Sequence, residues 1–197
     1  RRLMYWQVYL HKTSVASEKM LISALLRAKE LAAKGVELFA SPALRFFLCN
    51  KINKDEFYKN PVCLDNFIQL DDNDIWTSLK VWCNHPDIVL STLSQGLVNR
   101  KLFKVEVLSS PISPTRKEEI LQKISQQLNI SKKEANYFFS TSLIENNMYR
   151  KEDDSIEILF NDGTTQNIAD ASDMLNISLL SRKVKKYYVC FLRFNGF

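Results

Sequence analysis

The first thirteen residues combine side chains that can bind a phosphate and a sugar. They read RRLMYWQVYLHKT. Because a helix turns by about 100° per residue, Arg1, Tyr5 and Tyr9 would lie on one face, where a guanidinium fork can bind phosphate oxygens beside two phenols. His11 would point about 160° away from Tyr9. The pattern therefore predicts a phosphate-and-sugar contact set on one side of a helix and a separate site at His11.

The order of these residues along the chain resembles that of a known enzyme family. Arg1 stands eight positions before Tyr9, the pair His11-Lys12 follows, and a long amphipathic segment and then the sequence NRKLFKVE come later. This arrangement resembles the HD-domain phosphohydrolases, and more closely the dNTP triphosphohydrolase branch that includes the sterile-alpha-motif/HD enzyme and its bacterial relatives. The likeness covers nearly the whole chain but only the latter part of such an enzyme. It implies that the parent protein hydrolyses deoxynucleoside triphosphates to nucleoside and triphosphate.

The resemblance also implies a divalent metal ion, whose ligands are missing from this sequence. The family holds its metal with several histidines and aspartates, including an adjacent His-Asp pair, whereas the histidines here are His11 and His85, and neither precedes aspartate. A hydrolytic metal site needs about three protein ligands and an open position for water. We therefore assign no metal ligand and no catalytic residue, and expect the metal centre upstream. A start at Arg1, without a methionine or a capping residue, is what we expect of part of a longer protein.

By resemblance, Arg1 and Tyr9 are the substrate-binding residues. Arg1 would bind a phosphate, and Tyr9 would stack against the deoxyribose, where its ring leaves no room for a 2′-hydroxyl. The residues alone leave an alternative, in which Arg1 is a terminal surface residue and Tyr9 a packing aromatic. Tyr5 and Leu10 depart from the family, which tends to have histidine and can have glutamine at these positions. The sequence therefore does not predict which base is bound.

His11, Lys12, Arg100 and Lys104 would form a second site, which in regulated members of the family holds an activating nucleotide at a subunit interface. The family pattern Arg-x-Leu-x-Lys is kept at residues 100–104. If these residues form a strand, the two cations share a face and could flank one triphosphate. The alternative is that Arg100 and Lys104 only solvate an edge strand. The resemblance further implies a homo-oligomer, either a dimer or a tetramer.

The composition indicates a globular chain without a membrane span. The chain has 197 residues, of which 46% are hydrophobic and 25% charged, and this is enough for the core of one or two domains. No apolar run approaches the roughly 20 residues that span a bilayer. The four cysteines form no CxxC pair. We therefore expect free thiols in a reducing compartment, and a cytoplasmic protein with no membrane partner.

The net charge of +5 is distributed unevenly along the chain. Lysines and arginines are concentrated in segments 27–34, 100–104, 116–133 and 182–186. Such clusters suit polyanionic ligands, including nucleoside triphosphates, without requiring nucleic acid. The alternative for each cluster is a charged face that only contacts water.

The first hundred residues are predicted to be helical. An apolar stripe predicts one long helix over residues 3–34, with Gly35 as its stop. Shorter helices are predicted within segments 41–52, 63–70, 71–85 and 86–100. Residues 1–100 would thus be the helical portion of an HD phosphohydrolase domain that lacks the metal motif.

The pattern changes after residue 100 and predicts a C-terminal lobe over residues 101–197. Residues 101–108 alternate as a half-buried strand does, and Ser113-Pro114 is typical of a helix start. Asp162-Gly163 is typical of a hairpin turn. Two further helices over 131–139 and 170–181 and a strand over 184–194 complete the lobe. The predicted class is α+β, a mainly helical body followed by a small lobe with an antiparallel sheet, which would serve regulation or oligomerisation.

A different class of function is also compatible with the sequence. Residues 113–166 give helix, helix and hairpin, an order shared with winged-helix folds, and the first helix is basic. The segment could therefore be a non-catalytic module that binds nucleic acid, or a purely structural interaction domain. Strongly salt-dependent binding to a duplex would favour the nucleic-acid alternative.

Overall fold

A computed structural model describes residues 4, 8, 10–146, 157–167 and 184–194. Over these ranges the chain is a helical body with a small antiparallel sheet, and this confirms the predicted α+β class. None of the helices in the described ranges is long and apolar enough to cross a membrane.

The helices are α1 (Lys12–Ala33), α2 (Pro42–Cys49), α3 (Lys54–Lys59), α4 (Pro61–Gln69), α5 (Asp72–Trp82), α6 (Ile88–Val98), α7 (Pro114–Leu128) and α8 (Lys132–Ala135), and a 3-10 turn follows at Asn136–Phe138. The strands are β1 (Lys104–Leu108), β2 (Phe139–Asn146), β3 (Glu157–Leu159), β4 (Thr165–Asn167) and β5 (Val184–Phe191).

Helix α1 begins later than the sequence predicts. His11 has an extended backbone (φ −63°, ψ 142°), and its Nδ1 accepts a hydrogen bond from the Thr13 N–H at 3.2 Å, so His11 is the N-cap. The predicted single helix over residues 3–34 is therefore wrong at its N-terminal end, because the extended His11 interrupts the helical backbone. The predicted stop is confirmed, since Gly35 has φ +82° and its N–H donates to the Ala32 carbonyl at 3.0 Å.

Most of the remaining helices start at caps that the sequence contains. Asp71 forms a capping box with Asp74 at the start of α5, and Ser113 caps α7 immediately before Pro114. Both starts agree with the sequence prediction. Helix α3 was not predicted, although its own capping box at Asn53 satisfies its first backbone N–H groups in the same way.

Helices α1 and α6 pack closely because Gly96 has no side chain. A Cβ at Gly96 would stand 2.5 Å from the Met20 Cε. Met20 is itself buried, and its Sδ accepts a hydrogen bond from the Phe103 N–H at 3.2 Å, so its methyl group has little freedom to move aside. Leu90 and Leu93 on α6 are fully buried. These side chains form the centre of the core.

Arg27, which is buried on α1, binds three carboxylates from different parts of the chain. Its Nε and Nη2 donate to the two Asp87 carboxylate oxygens at 3.1 and 2.6 Å, its Nη1 donates to Glu30 at 3.1 Å, and its Nη2 also donates to Glu134 at 3.0 Å. The Tyr137 ring lies 5.5 Å from the guanidinium carbon, and the Tyr137 hydroxyl donates to Glu30. These five residues are the Arg27 cluster.

The charges of the Arg27 cluster stabilise one another. Hydrogen bonds from Lys34 and Tyr137 lower the pKa of Glu30 from 4.5 to about 2. Burial raises the pKa of the Asp87 carboxyl, but hydrogen bonds from Arg27 and from a backbone N–H outweigh burial and bring this pKa below 3.8. The hydrogen bond with Asp87 in turn raises the pKa of Arg27. The cluster is therefore fully ionised at neutral pH, apart from the tyrosine.

The strands form two sheets. One has three strands in the order β1-β5-β2, and the other is the antiparallel hairpin β3-β4, in which Ile158 pairs with Gln166. In the hairpin turn Gly163 has φ +82°, and the Asp162 carboxylate accepts a hydrogen bond from the Thr164 N–H at 2.9 Å. The predicted hairpin at Asp162-Gly163 is confirmed.

The strand predicted over residues 101–108 begins at Lys104 instead. Arg100, which follows α6, has a left-handed backbone with φ +56°, and the Lys101 N–H donates to the Gly96 carbonyl at 2.8 Å. This hydrogen bond completes the C-terminal turn of α6 and delays the extended backbone. The prediction that Arg100 and Lys104 share one face of a strand is therefore wrong.

The last predicted elements have mixed outcomes. The short helix over 131–139 contains α8, which ends at Ala135, and the 3-10 turn leads directly into β2 at Phe139. The strand predicted over residues 184–194 is confirmed as β5. The helix predicted over residues 170–181 lies outside the described residues.

The chain forms two compact units. One comprises Arg1–Glu106, Ile112–Thr141 and Val189–Phe197, and the other comprises Val107–Pro111 and Ser142–Tyr188. This division does not follow the predicted boundary after residue 100, because α7 and α8 belong to the first unit. The assignment of catalytic and regulatory roles to residues 1–100 and 101–197 stays a prediction. The Arg27 cluster lies entirely in the first unit.

The cysteines are free thiols, as the sequence predicts: Cys49 is exposed, Cys83 partly exposed, and Cys63 and Cys190 are buried. Burial raises the pKa of the Cys190 thiol to about 11. Cys190 is therefore protonated at neutral pH and packs as a small apolar side chain.

Replacing the buried cation tests the importance of the Arg27 cluster. We expect Arg27→Met to lower the free energy of unfolding by about 3 kcal/mol or more, because three carboxylates lose their partner. Arg45→Met is the matched control, since Arg45 pairs on the surface with Glu37, and it should cost less than about 0.5 kcal/mol. Urea denaturation at neutral pH measures both. Equal losses for the two variants would contradict the role given to Arg27.

The depressed pKa of Glu30 predicts a particular sensitivity to acid. The ionised carboxylate stabilises the fold fully above pH 4.5, its ordinary pKa, and this contribution is lost as the pH falls toward about 2. We expect the unfolding free energy of Glu30→Gln to decrease less between pH 5 and pH 3 than that of the wild type. Glu118→Gln, which changes a carboxylate exposed on α7, should retain the wild-type pH dependence. An unaltered slope for Glu30→Gln would contradict the assignment.

Candidate anion-binding cleft

A cleft with basic and aromatic walls lies in the first unit. It has a volume of about 440 Å³. We call it the basic cleft; it is lined by Lys104, Arg116, Glu119, Ile120, Lys123, Phe191, Arg193 and Phe194. These residues come from the start of β1, one face of α7 and the end of β5, which are distant along the chain.

Four cations and one carboxylate, Glu119, line the basic cleft, and a second carboxylate, Glu106, pairs with two of the cations. Glu106 binds two of the cations, with Lys104 Nζ at 3.2 Å from Oε1 and Arg116 Nη2 at 2.6 Å from Oε2. Lys123 and Arg193 add two more positive charges. Both Glu106 partners are about half exposed, so water screens these ion pairs and an incoming anion can compete for them.

Two phenylalanines form the aromatic side of the basic cleft. The Phe191 and Phe194 ring centroids are 5.8 Å apart and the ring planes are inclined by 32°. Lys104 Nζ lies 5.7 Å from the Phe191 centroid, and Lys123 Nζ lies 6.0 Å from the Phe194 centroid. Each ring therefore faces an ammonium group, which holds the two lysines over the cleft.

Local sequence accounts for the arrangement of these side chains. The cap at Ser113 fixes the start of α7, and Arg116, Ile120 and Lys123 then recur at helical spacing on one face. Ile120 is buried and attaches this face to the core. Arg193 Nε donates to the Leu102 carbonyl at 2.9 Å, which ties the residues after β5 to the segment before β1.

The described members of the predicted site lie in different parts of the first unit. Arg1 and Tyr9, the predicted substrate-binding pair, lie outside the described residues. His11 caps α1, and Lys12 is the exposed first residue of that helix. Of the predicted regulatory set, Lys104 lines the basic cleft.

Arg100 and Lys104 line different cavities. Arg100 borders an apolar cavity of about 630 Å³ that also contacts Thr13 near the start of α1 and Trp76 on α5. Its left-handed backbone directs the chain away from α6 before β1 begins. The regulatory role predicted for His11, Lys12, Arg100 and Lys104 stays a prediction, but it no longer rests on a shared strand face.

Sequence reasoning missed three of the cations in the basic cleft. Arg116 and Lys123 belong to a charge cluster that could equally have faced water, and their spacing of seven residues was the available signal for a common helix face. Arg193 gave no local signal, because its place beside Lys104 depends on the pairing of β5 with β1.

No group of three or more His, Cys, Asp or Glu side chains in the described ranges could hold a metal ion. His85 Nδ1 accepts a hydrogen bond from the Asp87 N–H at 3.0 Å, so this nitrogen has a structural partner. The described residues thus do not fit the metal centre that the resemblance implies.

Comparison with known proteins identifies similar chains. No family model matches this sequence. A crystal structure of a phosphohydrolase from Bacteroides thetaiotaomicron is 70% identical, superimposes with a TM-score of 0.93, and the match covers 98% of this chain and 48% of that protein. Protein YwfO of Bacillus subtilis is 30% identical over 104 residues, which are 53% of this chain and 22% of YwfO. The chain therefore spans about half the length of the phosphohydrolase and under a quarter of YwfO.

Removing the carboxylate that pairs with Lys104 and Arg116 tests whether the basic cleft binds anions. We expect Glu106→Gln to bind inorganic tripolyphosphate about twofold to fivefold more tightly, because Lys104 and Arg116 lose their competing partner. Glu118→Gln on α7 changes the net charge equally without touching the cleft, and it should bind like the wild type. Isothermal titration calorimetry at low salt measures the affinities. Equal tightening in both variants would indicate a general charge effect and contradict a site here.

Proposed function

We propose that this chain is part of a metal-dependent phosphohydrolase that hydrolyses deoxynucleoside triphosphates to nucleoside and triphosphate. The observation that carries this proposal is the 70% identity to a phosphohydrolase over nearly the whole chain. The substrate comes from the resemblance of Arg1, Tyr9, the His11-Lys12 pair and residues 100–104 to the dNTP triphosphohydrolases. The basic cleft supports it with a surface suited to a polyanion.

The substrate side of the proposal rests on Arg1 and Tyr9. A guanidinium fork suits the oxygens of a phosphate, and the tyrosine ring would select deoxyribose by filling the space of a 2′-hydroxyl. These residues precede His11, whose cap fixes the start of α1. Helix α1 would then support this part of the substrate pocket.

A divalent metal ion would supply the nucleophile by lowering the pKa of a bound water. We propose that residues of the parent protein outside this chain hold it, because the described residues offer no suitable ligand group. The contribution of this chain would be to bind and orient nucleotides.

We further propose that the regulatory nucleotide places its phosphates in the basic cleft. Lys104, from the predicted regulatory set, would act there with Arg116, Lys123 and Arg193. Arg100, His11 and Lys12 would also contribute to nucleotide binding, as the resemblance implies. In regulated members of the resembled family such a site lies between subunits, so we propose a homo-oligomer that assembles when nucleotide binds.

The free thiols are compatible with a reducing compartment, and we propose a cytoplasmic location. The nucleic-acid alternative has less support. Helix α8, which would have to read base edges, is one turn of four residues, Lys132–Ala135. Its Lys132 is paired with Glu118 on α7.

Triphosphate release tests the proposed reaction. We would compare this chain with the same protein extended upstream to its natural start, using each of the four dNTPs with Mg²⁺ or Mn²⁺. We expect release of triphosphate from the extended protein and none from this chain, because the metal ligands lie upstream. Release from neither protein, with any dNTP, would contradict the proposed substrate class.

Nucleotide-dependent assembly tests the proposed regulation. We expect the double variant Arg100→Ala, Lys104→Ala of the extended protein to remain in its nucleotide-free oligomeric state when dGTP is added, whereas the wild type assembles further. The matched control is Arg45→Ala, Lys59→Ala, which removes the same charge from α2 and α3. Light scattering after size-exclusion chromatography measures the mass. Unchanged assembly of the first double variant would contradict the regulatory role.

A further inference from the structure

A second cavity of about 860 Å³ adjoins the basic cleft and shares two residues with it, Arg193 and Phe194. We call it the carboxamide cavity, because Gln95, Asn99 and Gln127 line it. Its volume lies in the range of small-ligand sites. A ligand could therefore extend from one cavity into the other past Arg193.

Two buried aromatic rings, inclined by 56° to each other, line the inner side of the carboxamide cavity. Phe103 and Phe138 are both buried, and their ring centroids are 6.4 Å apart. Met20 lies beside them on α1. Gly96 also lines the cavity. This side of the cavity is therefore apolar, as the walls of small-ligand sites usually are.

The walls carry amide groups that are free to bind a ligand. Within the described part of the chain, the side chains of Asn99 and Gln127 form no hydrogen bond. The Gln95 Nε2 donates to the Cys83 carbonyl at 2.7 Å, which fixes this side chain against the end of α5. Each free carboxamide offers two hydrogen-bond donors on its nitrogen and an acceptor on its oxygen.

The end of α6 determines where Asn99 stands. Asn99 is the C-cap, with its N–H bonded to the Gln95 carbonyl at 2.9 Å, and the left-handed Arg100 then turns the chain. A left-handed backbone at arginine is unfavourable, so the tertiary structure imposes it. The turn leaves the Asn99 side chain exposed at the rim of the cavity rather than within a continuing helix.

We propose that the carboxamide cavity is a nucleobase subsite, which holds the base of a nucleotide whose phosphates occupy the basic cleft. This inference rests on the proposed function only in placing the phosphates of the nucleotide in the basic cleft. A carboxamide pairs bidentately with the N6 and N7 edge of adenine, and the apolar side of the cavity would shield one side of the base from water. Arg193 stands at the junction, where the phosphates and the base of one nucleotide meet.

The test compares nucleotides with a ligand that has no base. Isothermal titration calorimetry would give the affinity of this chain for the four dNTPs and for inorganic tripolyphosphate. In the double variant Asn99→Ala, Gln127→Ala we expect the affinity for dATP to fall at least about tenfold, because the base loses its hydrogen bonds. The affinity for tripolyphosphate should not change. Gln126→Ala, one position away on α7 and outside the cavity lining, is the matched control and should bind dATP normally.

Each other outcome contradicts a defined part of the account. If the double variant binds dATP as the wild type does, or if the wild type binds tripolyphosphate as tightly as every dNTP, the base subsite is wrong and the phosphate cleft stands. If tripolyphosphate binding falls as much as dATP binding, Asn99 and Gln127 act on the phosphates, and the subsite is again wrong. If the wild type binds neither ligand, both the subsite and the nucleotide role of the basic cleft are wrong.

Discussion

The ion cluster around Arg27 is the interaction on which the rest of the helical body depends. A guanidinium that is 6% exposed can be stable only when it is paired and hydrogen-bonded, because burial removes its hydration. Arg27 has partners on its own helix, at the cap before α6 and in α8. One side chain thus fixes three segments that are up to 107 residues apart in sequence.

The position of the carboxamide cavity follows from this constraint. Asp87 binds Arg27 and also caps α6, so the cluster holds the first turn of that helix against α1. The close contact at Gly96 then fixes the other end of α6, where Asn99 and Arg100 turn the chain toward β1. Helix α6 lines the carboxamide cavity, β1 lines the basic cleft, and α7 and the residues after β5 line both. The closely packed α1–α6 pair therefore supports exposed polar side chains, such as that of Asn99, at the end of α6.

Local signals were sufficient to predict much of the fold. Ser113-Pro114, Asp71 and Gly35 mark helix ends through their own side chains or backbone freedom, and Asp162-Gly163 marks a hairpin in the same way. The failures came where tertiary contacts determine the backbone. His11 is an uncommon N-cap, and no propensity predicts a left-handed Arg100. The Arg27 cluster itself was invisible, because its partners Asp87 and Glu134 are remote in sequence.

The candidate site was predictable only in part for a similar reason. Lys104 was found through a motif of five residues, whereas Arg193 reaches the basic cleft through the pairing of β5 with β1. The charge run that contains Arg116 and Lys123 had two interpretations, a solvated face or an anion site, and the sequence could not choose between them. The fold brings β1 and the end of β5 beside α7, and the charges of these elements therefore meet in the basic cleft.

The most direct test of the account is a crystal structure of this chain with inorganic tripolyphosphate. The account predicts tripolyphosphate in the basic cleft, with its oxygens hydrogen-bonded to Lys104 and Arg116 and with Glu106 displaced from both. Tripolyphosphate bound elsewhere at saturating concentration, with the Glu106 ion pairs intact, would contradict it.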